Sequence, residues 1–156
     1  MLSKVKAYLI KHDVKPSIQR IAVMNYLFNN RTHPTVDEIF SALSPNMPTL
    51  SKTTVYSTLK LLAEKGAILQ LTIDEKNVRY DACIDPHAHF ICLGCGCVHD
   101  VAPIYLDKVH MEKYKNLNII ETQVYYKGYC DECLDNMEGK VKESAEPDSH
   151  LKQLNS

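Results

Sequence analysis

Glycine and proline are scarce in this chain of 156 residues, which contains five of the first and seven of the second. With an apolar content of 45% and a charged content of 24%, this composition excludes a collagen-like, low-complexity or strongly disordered protein. No apolar run approaches the roughly 20 residues needed to cross a bilayer. The first residues also lack the apolar core of a secretion signal. We therefore expect a soluble globular protein of the cytoplasm.

The net charge of −1 hides an uneven distribution. Residues 1–80 carry 11 Lys and Arg against 6 Asp and Glu, a net of +5, whereas residues 81–156 carry 7 against 13, a net of −6. A basic half suits a polyanion such as nucleic acid, and an acidic half supplies carboxylates for cations. The predicted division is a first domain at 1–82, a second at 83–138 and a disordered polar tail at 139–156.

The first half has helix caps followed by apolar residues at helical spacing. Ser17, Thr35 and Ser51 each precede such a segment, and Thr35 with Glu38 forms a capping-box sequence. Two β-rich segments, 68–73 and 78–81, flank four polar residues and predict a hairpin. Short helices followed by a hairpin predict a winged helix-turn-helix. The alternative is a generic small helical domain.

The second half has a different pattern. It predicts short strands around 90–91 and 98–101, a helix from about 104 to 115, and a strand from 117 to 126. The fold class is therefore α+β. A unit of about 50 residues is too small for an independent core of ordinary stability unless a metal or a partner subunit supports it.

The six cysteines point to metal binding, because cytosolic thiols are kept reduced. Two Cys-x-x-Cys pairs, Cys92 with Cys95 and Cys130 with Cys133, can supply the four thiolates of a structural Zn²⁺ site. The 34 intervening residues require the fold to bring the pairs together. A thioredoxin-type redox pair and buried free cysteines are the alternatives.

A second candidate site lies between the hairpin and the first cysteine pair. His87 and His89 alternate on an extended segment and so project to one face. Two imidazoles with nearby carboxylates suit Fe²⁺, Mn²⁺ or Zn²⁺. Asp100 can reach the same point, and His33 lies at the junction with the helical half. If both bind one ion, its occupancy fixes the angle between the halves.

The helix after Ser51 predicts a nucleic-acid contact. Lys52, Thr53, Tyr56 and Lys60 have the spacing of one recognition-helix face, with Thr and Tyr able to contact bases and Lys able to reach phosphates. A solvated helix face is the alternative reading. Further candidate contacts with the DNA backbone or minor groove are Lys15, Arg20, Lys76 and Arg79.

Over residues 5–135 the sequence resembles the ferric-uptake-regulator (Fur) family of bacterial metal-dependent repressors. The motifs that carry the resemblance are Lys15-x-Ser17-x-x-Arg20, His33-Pro34-Thr35-x-x-Glu38, Ser51-x-x-Thr54-Val55-Tyr56, Arg79-Tyr80-Asp81, His87-x-His89-x-x-Cys92-x-x-Cys95 and Cys130-x-x-Cys133. The resemblance implies an N-terminal winged helix and a small α/β dimerisation domain with a four-cysteine zinc site. It also implies a homodimer that represses transcription at AT-rich palindromic operator DNA when a regulatory ion is bound.

By this resemblance, the regulatory ligands are His33, Asp81, His87, His89 and Asp100, a set similar to that of the peroxide-sensing PerR branch. Fe²⁺ there would react with hydrogen peroxide and oxidise His87 or His33, which would release the metal and the DNA. Mn²⁺ would give a repressor indifferent to peroxide. Such a protein is not an enzyme, because the oxidised group is its own ligand.

Two departures from the family pattern keep alternatives open. Ser57 stands where many members have Arg, and Cys83 lies where zinc-sensing members often use a cysteine. An iron- or zinc-uptake regulator is therefore the alternative within the family. Outside it, a metal-storage protein and a dithiol oxidoreductase are less favoured readings. No role is assigned to Cys97.

Overall fold

The computed structural model of the protein describes residues 2–102, 116–118 and 120–143. The helical half comprises α1 (Leu2–Lys11), α2 (Ile18–Asn29), α3 (Val36–Leu43), a 3-10 turn (Ser44–Asn46) and α4 (Lys52–Glu64). A hairpin of β1 (Leu69–Leu71) and β2 (Arg79–Asp81) follows. The second half contains β3 (Ala88–Cys92), β4 (Val98–Val101), β5 (Tyr125–Gly128) and α5 (Asp131–Glu143).

The predicted caps start the helices. The Ser17 hydroxyl accepts the Arg20 N–H at the start of α2, and the Ser51 hydroxyl accepts the Thr54 N–H at the start of α4. Thr35 opens α3 with a complete capping box, in which the Glu38 carboxylate accepts the Thr35 N–H at 2.7 Å. These side chains satisfy backbone donors that have no partner inside the helix.

One apolar core joins the helices. Val55, Leu59 and Leu62 form the buried stripe of α4, and all three are fully buried. Val5 and Leu9 of α1 and several residues of α2 and α3 complete the same core: Val23, Met24, Leu27 and Ile39. The stripe leaves the opposite face of α4 in solvent.

The hairpin is the predicted wing. β1 and β2 pair antiparallel, with Leu69 opposite Asp81 and Leu71 opposite Arg79. Leu71 and Ile73 are fully buried against Ile91 and Val98 of the second half. The wing is thus packed against the second sheet, which is how the helical half meets the remainder of the chain.

The second sheet has the strand order β4-β3-β5. β3 pairs antiparallel with β4 and parallel with β5, and Cys92 lies opposite Gly128. The prediction of a strand over 117–126 is wrong, because the strand is Tyr125–Gly128. A strand needs a paired neighbour, and β3 begins only at Ala88, which offers no partner to residues far before Tyr125.

The predicted tail is also partly wrong. Residues 139–143 continue helix α5, while residues 144–156 lie outside the described residues. Asp131 and Glu132 in the first turn favour this helix through its dipole, and its Lys and Glu residues are good helix formers. The predicted helix at 104–115 also lies outside the described residues. None of the helices in the described part of the chain has the length and apolar character to cross a membrane.

Candidate metal centres and nucleic-acid interface

The parallel pairing of β3 with β5 brings the two cysteine pairs together. Cys92 ends β3, and Cys130 and Cys133 flank the start of α5 just after β5. The Sγ atom of Cys130 lies 3.6 Å from that of Cys92 and 4.0 Å from that of Cys95. Four sulfurs at a Zn–S distance of about 2.3 Å in a tetrahedron lie about 3.8 Å apart. The cluster therefore has the dimensions of a zinc site.

The cysteine cluster has the electrostatics of a cation site. The backbone N–H groups of Cys130 and Cys95 lower the pKa of Cys92 from 9.0 to about 6. Hydrogen bonds to Cys130 and Cys92 raise the pKa of Cys133 to about 12. One thiol thus ionises easily while another is held in the protonated form by its neighbours. A divalent cation relieves this conflict, because it displaces the thiol protons as it binds.

Gly94 and Gly96 shape the first cysteine turn. A Cβ atom on Gly94 would stand 2.7 Å from Sγ of Cys133 and 2.9 Å from its Cβ, closer than real contacts allow. Gly96 has φ +74°, in the left-handed region that favours glycine. No sequence pattern predicts this role for Gly94. Only its position inside Cys92-Leu93-Gly94-Cys95 hinted at the need for a close approach.

The second cluster draws its side chains from both halves of the chain. His33 precedes α3, Asp81 ends β2, and His87 and His89 stand at the start of β3. Asp100 of β4 lies directly opposite His89 in the sheet register. One ligand atom from each of these five residues lies within 4.8 Å of all the others. The structure therefore brings together every residue of the predicted regulatory set.

The donor atoms of the second cluster are close enough for a single ion. Nε2 of His33 lies 2.7 Å from Oδ1 of Asp100, and Nε2 of His87 lies 3.0 Å from Oδ2 of Asp81. Nε2 of His89 lies 3.3 Å from the same Asp81 oxygen. Ligands about 2.1 Å from an ion stand roughly 3 to 4 Å apart, as these atoms do.

The surroundings of His87 show whether the second cluster suits a metal ion. Its Nδ1 lies 2.7 Å from the Asp85 carbonyl, which can only accept, so Nδ1 carries a proton and Nε2 is the ring nitrogen that faces the cluster. That Nε2 atom is buried and makes no aligned hydrogen bond among the described residues, although the Asp81 and Asp100 oxygens are 3.0 and 3.3 Å away. Two carboxylate oxygens around this nitrogen require a positive charge between them and the ring, and three imidazoles with two carboxylates are a donor set for a divalent ion. The cluster therefore fits a metal ion.

The charges of the second cluster also match a divalent ion. Burial raises the pKa of Asp81, but the His89 hydrogen bond, the Cys83 N–H and the nearby His33 and His87 bring it below 3.8. Asp81 is thus ionised, and with the Asp100 carboxylate it balances the charge of a divalent cation. His33, Asp81 and His89 are almost completely buried, whereas the Asp100 side chain is 41% exposed. Asp100 forms the edge of the site that faces solvent.

The remaining cysteines stand outside both clusters. Cys83 is half-buried, and its backbone N–H donates a 2.8 Å hydrogen bond to Asp81 of the second cluster. Cys97 is exposed in the hairpin after Cys95. All six thiols of the chain are free of disulfides.

The outer face of α4 presents the predicted nucleic-acid contacts. Lys52, Thr53, Tyr56 and Lys60 are all exposed. Lys52 is paired with Asp37 of α3, and Lys60 lies 3.9 Å from Glu64. Both are surface pairs of small energy, which phosphates can replace.

Two further predicted contacts lie side by side at the start of α2. Lys15 is exposed, and the guanidinium of Arg20 donates to its carbonyl oxygen at 2.8 Å. Arg79 differs from both, because its side chain is only 15% exposed and is held by protein groups.

A family model described as the ferric uptake regulator family matches residues 11–127. The chain belongs to the ferric uptake regulator family. It is 34% identical over 129 residues to the peroxide-responsive repressor PerR of Staphylococcus epidermidis, and the match covers 81% of this chain and 86% of that one. The predicted family is thus confirmed.

Solved structures of the family have the same architecture. The ferric uptake regulator Fur of Helicobacter pylori, described as having three functional metal-binding sites, superposes with a TM-score of 0.67 at 25% identity. The superposition covers 86% of this chain and 94% of that one. The peroxide stress regulator of Campylobacter jejuni gives a TM-score of 0.63 at 25% identity and covers 85% and 98%. The predicted α+β fold, with its winged helix and four-cysteine cluster, is confirmed.

Proposed function

We propose that this protein is a dimeric, metal-dependent transcriptional repressor that responds to peroxide. The observation that carries the proposal is the cluster of His33, Asp81, His87, His89 and Asp100, because it joins residues before and after the wing at one point. An ion held by all five residues stabilises only the arrangement in which both halves meet. Binding energy available in one arrangement shifts the population toward it.

The proposal assigns separate tasks to the two clusters. Cys92, Cys95, Cys130 and Cys133 would hold a structural Zn²⁺ that supports the second half, proposed as the dimerisation domain at 83–138. The His and Asp cluster would hold Fe²⁺ or Mn²⁺ as the regulatory ion. The winged-helix domain at 1–82 would bind double-stranded DNA. An AT-rich palindrome is the proposed operator, and the cytoplasm the proposed location.

Two observations support peroxide sensing: the chemistry of the donor atoms and the name of a relative. Three imidazoles and two carboxylates suit Fe²⁺, and the S. epidermidis relative is named a peroxide-responsive repressor. Bound Fe²⁺ would supply the electrons that split hydrogen peroxide, whereas Zn²⁺ has no redox chemistry. The chain's part is to hold His33 and His87 beside the reacting atoms and to leave the Asp100 edge open to a small oxidant. A ligand histidine that takes one oxygen atom from hydrogen peroxide, while the other leaves as water, would no longer bind the ion.

DNA contact is proposed for Tyr56 and Thr53 at bases and for the basic side chains at phosphates. These basic residues are Lys15, Arg20, Lys52 and Lys60. The +5 charge of residues 1–80 supports this assignment. Because phosphate contacts release counterions, DNA affinity should fall roughly tenfold or more for a severalfold rise in salt. A binding curve that is independent of salt would contradict the interface.

The deciding experiment compares the zinc-loaded dimer carrying Fe²⁺ or Mn²⁺ in the second cluster, before and after low hydrogen peroxide. The DNA is a duplex selected from a random pool by the Mn²⁺-loaded protein. We expect binding to be lost only in the Fe²⁺ sample, with an increase of about 16 Da on a peptide containing His33 or His87. Retained binding with both ions would contradict peroxide sensing.

An iron- or zinc-uptake regulator is the second candidate. Cys83 favours it, because this half-buried thiol follows Asp81 by two residues and offers a soft donor near the second cluster. A Zn²⁺ titration of DNA binding, repeated with Cys83→Ser, distinguishes the two functions. Activation by Zn²⁺ that depends on Cys83 would support the zinc regulator.

A further inference from the structure

Arg79 is not a ligand of either cluster, but its guanidinium contacts several parts of the chain around His33. Its Nη1 atom donates to the His33 carbonyl at 3.3 Å, and its Nε and Nη2 atoms each lie 3.2 Å from Oδ2 of Asp74 in the wing turn. Nη1 also lies 4.0 Å from the carboxylate of Glu38. Arg79 and Asp74 are largely buried, with 15% and 14% of their side chains exposed. One guanidinium therefore contacts the wing turn, the first turn of α3 and the backbone of a proposed metal ligand.

His33 needs such support. Its backbone has φ +52°, a left-handed conformation that costs energy for a residue with a Cβ atom. Its Nδ1 atom is buried and has no hydrogen-bond partner among the described residues. Histidines that bind metals usually have the second ring nitrogen held by a carbonyl or a carboxylate, as His87 has through Asp85. On the Nδ1 side the ring of His33 has no such support, so its orientation as a ligand depends on its backbone, whose carbonyl accepts from Arg79.

The two residues after Arg79 complete this arrangement. The Tyr80 N–H donates to the Pro34 carbonyl at 3.1 Å, and the Asp81 carboxylate lies 3.8 Å from Nε2 of His33. Three successive residues of strand β2 therefore contact the segment of His33 and Pro34. Of these contacts, only the one made by Arg79 also reaches the wing turn and α3.

We propose that Arg79 is a positioning residue that holds His33 in ligand geometry and links the regulatory cluster to the wing turn and α3. This inference rests on the proposed function and adds the route by which ion binding reaches the DNA-binding elements. An ion that fixes His33 also fixes its carbonyl, and through Arg79 it limits the position of Asp74 and Glu38. Without Arg79, an ion would still bind but would constrain the wing less.

This role differs measurably from a phosphate contact. A phosphate contact would contribute equally to DNA binding with and without the regulatory ion, and its removal would reduce the salt slope by about one per contact. A positioning residue changes the affinity for the ion itself in the absence of DNA. It also changes the gain in DNA affinity that the ion produces.

The test uses the full-length, zinc-loaded protein and four variants: Arg79→Gln, Arg79→Lys, Asp74→Asn and Arg31→Gln. Arg31→Gln is the matched control, because it removes the same charge from an exposed side chain two residues before His33. Two readouts are taken without DNA, Mn²⁺ affinity and the visible spectrum of Co²⁺ in the second cluster. The third is affinity for the selected duplex with and without Mn²⁺, at several salt concentrations.

For Arg79→Gln we expect Mn²⁺ affinity to fall about tenfold, as is typical when the support of a ligand is removed. The Co²⁺ spectrum should change, and the Mn²⁺-dependent gain in DNA affinity should fall by at least tenfold. Metal-free DNA binding, its salt slope and the zinc content should match those of Arg31→Gln. Arg79→Lys, which keeps a donor, should fall between this variant and the wild type. Asp74→Asn should keep Mn²⁺ affinity within about twofold while losing part of the gain.

Two results would overturn the inference. One is an Arg79→Gln protein with the Mn²⁺ affinity and Co²⁺ spectrum of the control. The other is an equal loss of DNA affinity with and without Mn²⁺ together with a smaller salt slope, which would make Arg79 a phosphate contact. If Arg79→Gln does not fold, Arg79→Lys decides by the same readouts. A wild type with no Mn²⁺-dependent gain would instead refute the proposed function, and the Co²⁺ comparison would still decide the role of Arg79.

Discussion

The two clusters of this protein differ in donors, in exposure and in the parts of the chain that build them. The cysteine cluster uses four soft thiolates and lies entirely within the second half, between β3 and the start of α5. The His and Asp cluster uses five nitrogen and oxygen donors from both halves, and its Asp100 side chain is 41% exposed. The first has the features of a closed structural site, and the second has those of a site that exchanges and reports its ion.

The comparison indicates that a permanently bound ion and an exchangeable ion depend on different structural features. Four thiolates, at the end of β3, in the turn that follows it and around the start of α5, can bind a Zn²⁺ ion without a ligand from the helical half. The second cluster is complete only when His33 is brought to the sheet, so its affinity depends on how the halves meet. The largest expected effects therefore concern the cysteines, and the smaller ones concern the supports of the other cluster.

The largest effect is expected for Cys130→Ser, which removes one ligand of the cysteine cluster. Loss of one thiolate should remove the zinc. Because structural Zn²⁺ contributes on the order of 10 kcal/mol to small domains, the fold of the second half and the proposed dimer should be lost with it. Native mass spectrometry gives zinc content and oligomeric state together. Cys97→Ser, which removes an exposed cysteine of the hairpin between β3 and β4, is the control and should keep both. A zinc-loaded Cys130→Ser dimer would disprove the four-thiolate site.

Asp100→Glu tests whether geometry or mere occupancy governs the second cluster. The longer side chain should still bind the ion, so metal-dependent DNA binding should persist. Because a misplacement of about 1 Å costs reactions up to roughly 10²-fold, inactivation of the Fe²⁺ protein by peroxide should slow by about tenfold or more. The rate is measured by DNA binding after timed exposure to hydrogen peroxide. Asp85→Glu, at an exposed neighbouring carboxylate, should react at the wild-type rate, and an equally fast Asp100→Glu protein would contradict the prediction.

Gly94→Ala perturbs the cysteine cluster without replacing any of its ligands. The added Cβ atom would meet Cys133 at 2.7 Å, so the thiolate must move away from the tetrahedron. We expect a destabilisation of about 1–3 kcal/mol, the usual cost of overpacking, and faster loss of zinc to a chelator. Gly139→Ala in helix α5 is the control, since alanine is the better helix former. Zinc release at the wild-type rate would show that the turn adapts.

The smallest effect concerns the support behind the second cluster. The Lys76 N–H and the Arg79 guanidinium hold the pKa of Asp74 below 3.8 against the effect of burial. A carboxyl whose folded pKa is lowered stabilises the fold above its unfolded pKa, and this stability is lost as the pH falls through the folded pKa. Asp74→Asn should therefore lower the free energy of unfolding by about 1–2 kcal/mol at neutral pH and by little at pH values well below about 4.

Urea unfolding of the metal-matched proteins at several pH values measures this difference. Asp13→Asn is the control, because the Asp13 side chain is 89% exposed. It should stay within about 0.5 kcal/mol of the wild type. An Asp74→Asn deficit that does not shrink on acidification would exclude the proposed cause.

Much of the fold was predictable because local signals decide it. Ser17, Thr35 and Ser51 cap helices through hydrogen bonds within three residues, so the sequence alone locates the helix starts. The ligand clusters were predictable in a different way. Thiol pairs and alternating histidines have few other uses at such spacing, even though their partners lie far along the chain.

What the sequence could not provide depends on tertiary approach. The short strand Tyr125–Gly128 follows from the length of its partner β3, not from its own β propensity. Gly94 matters only because Cys133 approaches it from α5. Arg79 reads as a surface cation in the sequence, and its inward contacts with His33 and Asp74 depend on where the wing packs.

The parallel pairing of β3 with β5 also sets an order of events during synthesis. Cys92 and Cys95 are made before Cys130, and the 34 residues that separate the two pairs take roughly two to seven seconds at about 5–20 residues per second. A parallel pair cannot form until its second strand exists, so the first two thiols wait without their partners. During this interval the nascent chain offers zinc only half of its ligands. Until Cys130 and Cys133 are made, Cys92 and Cys95 therefore lack the tetrahedral ion that would shield their thiolates.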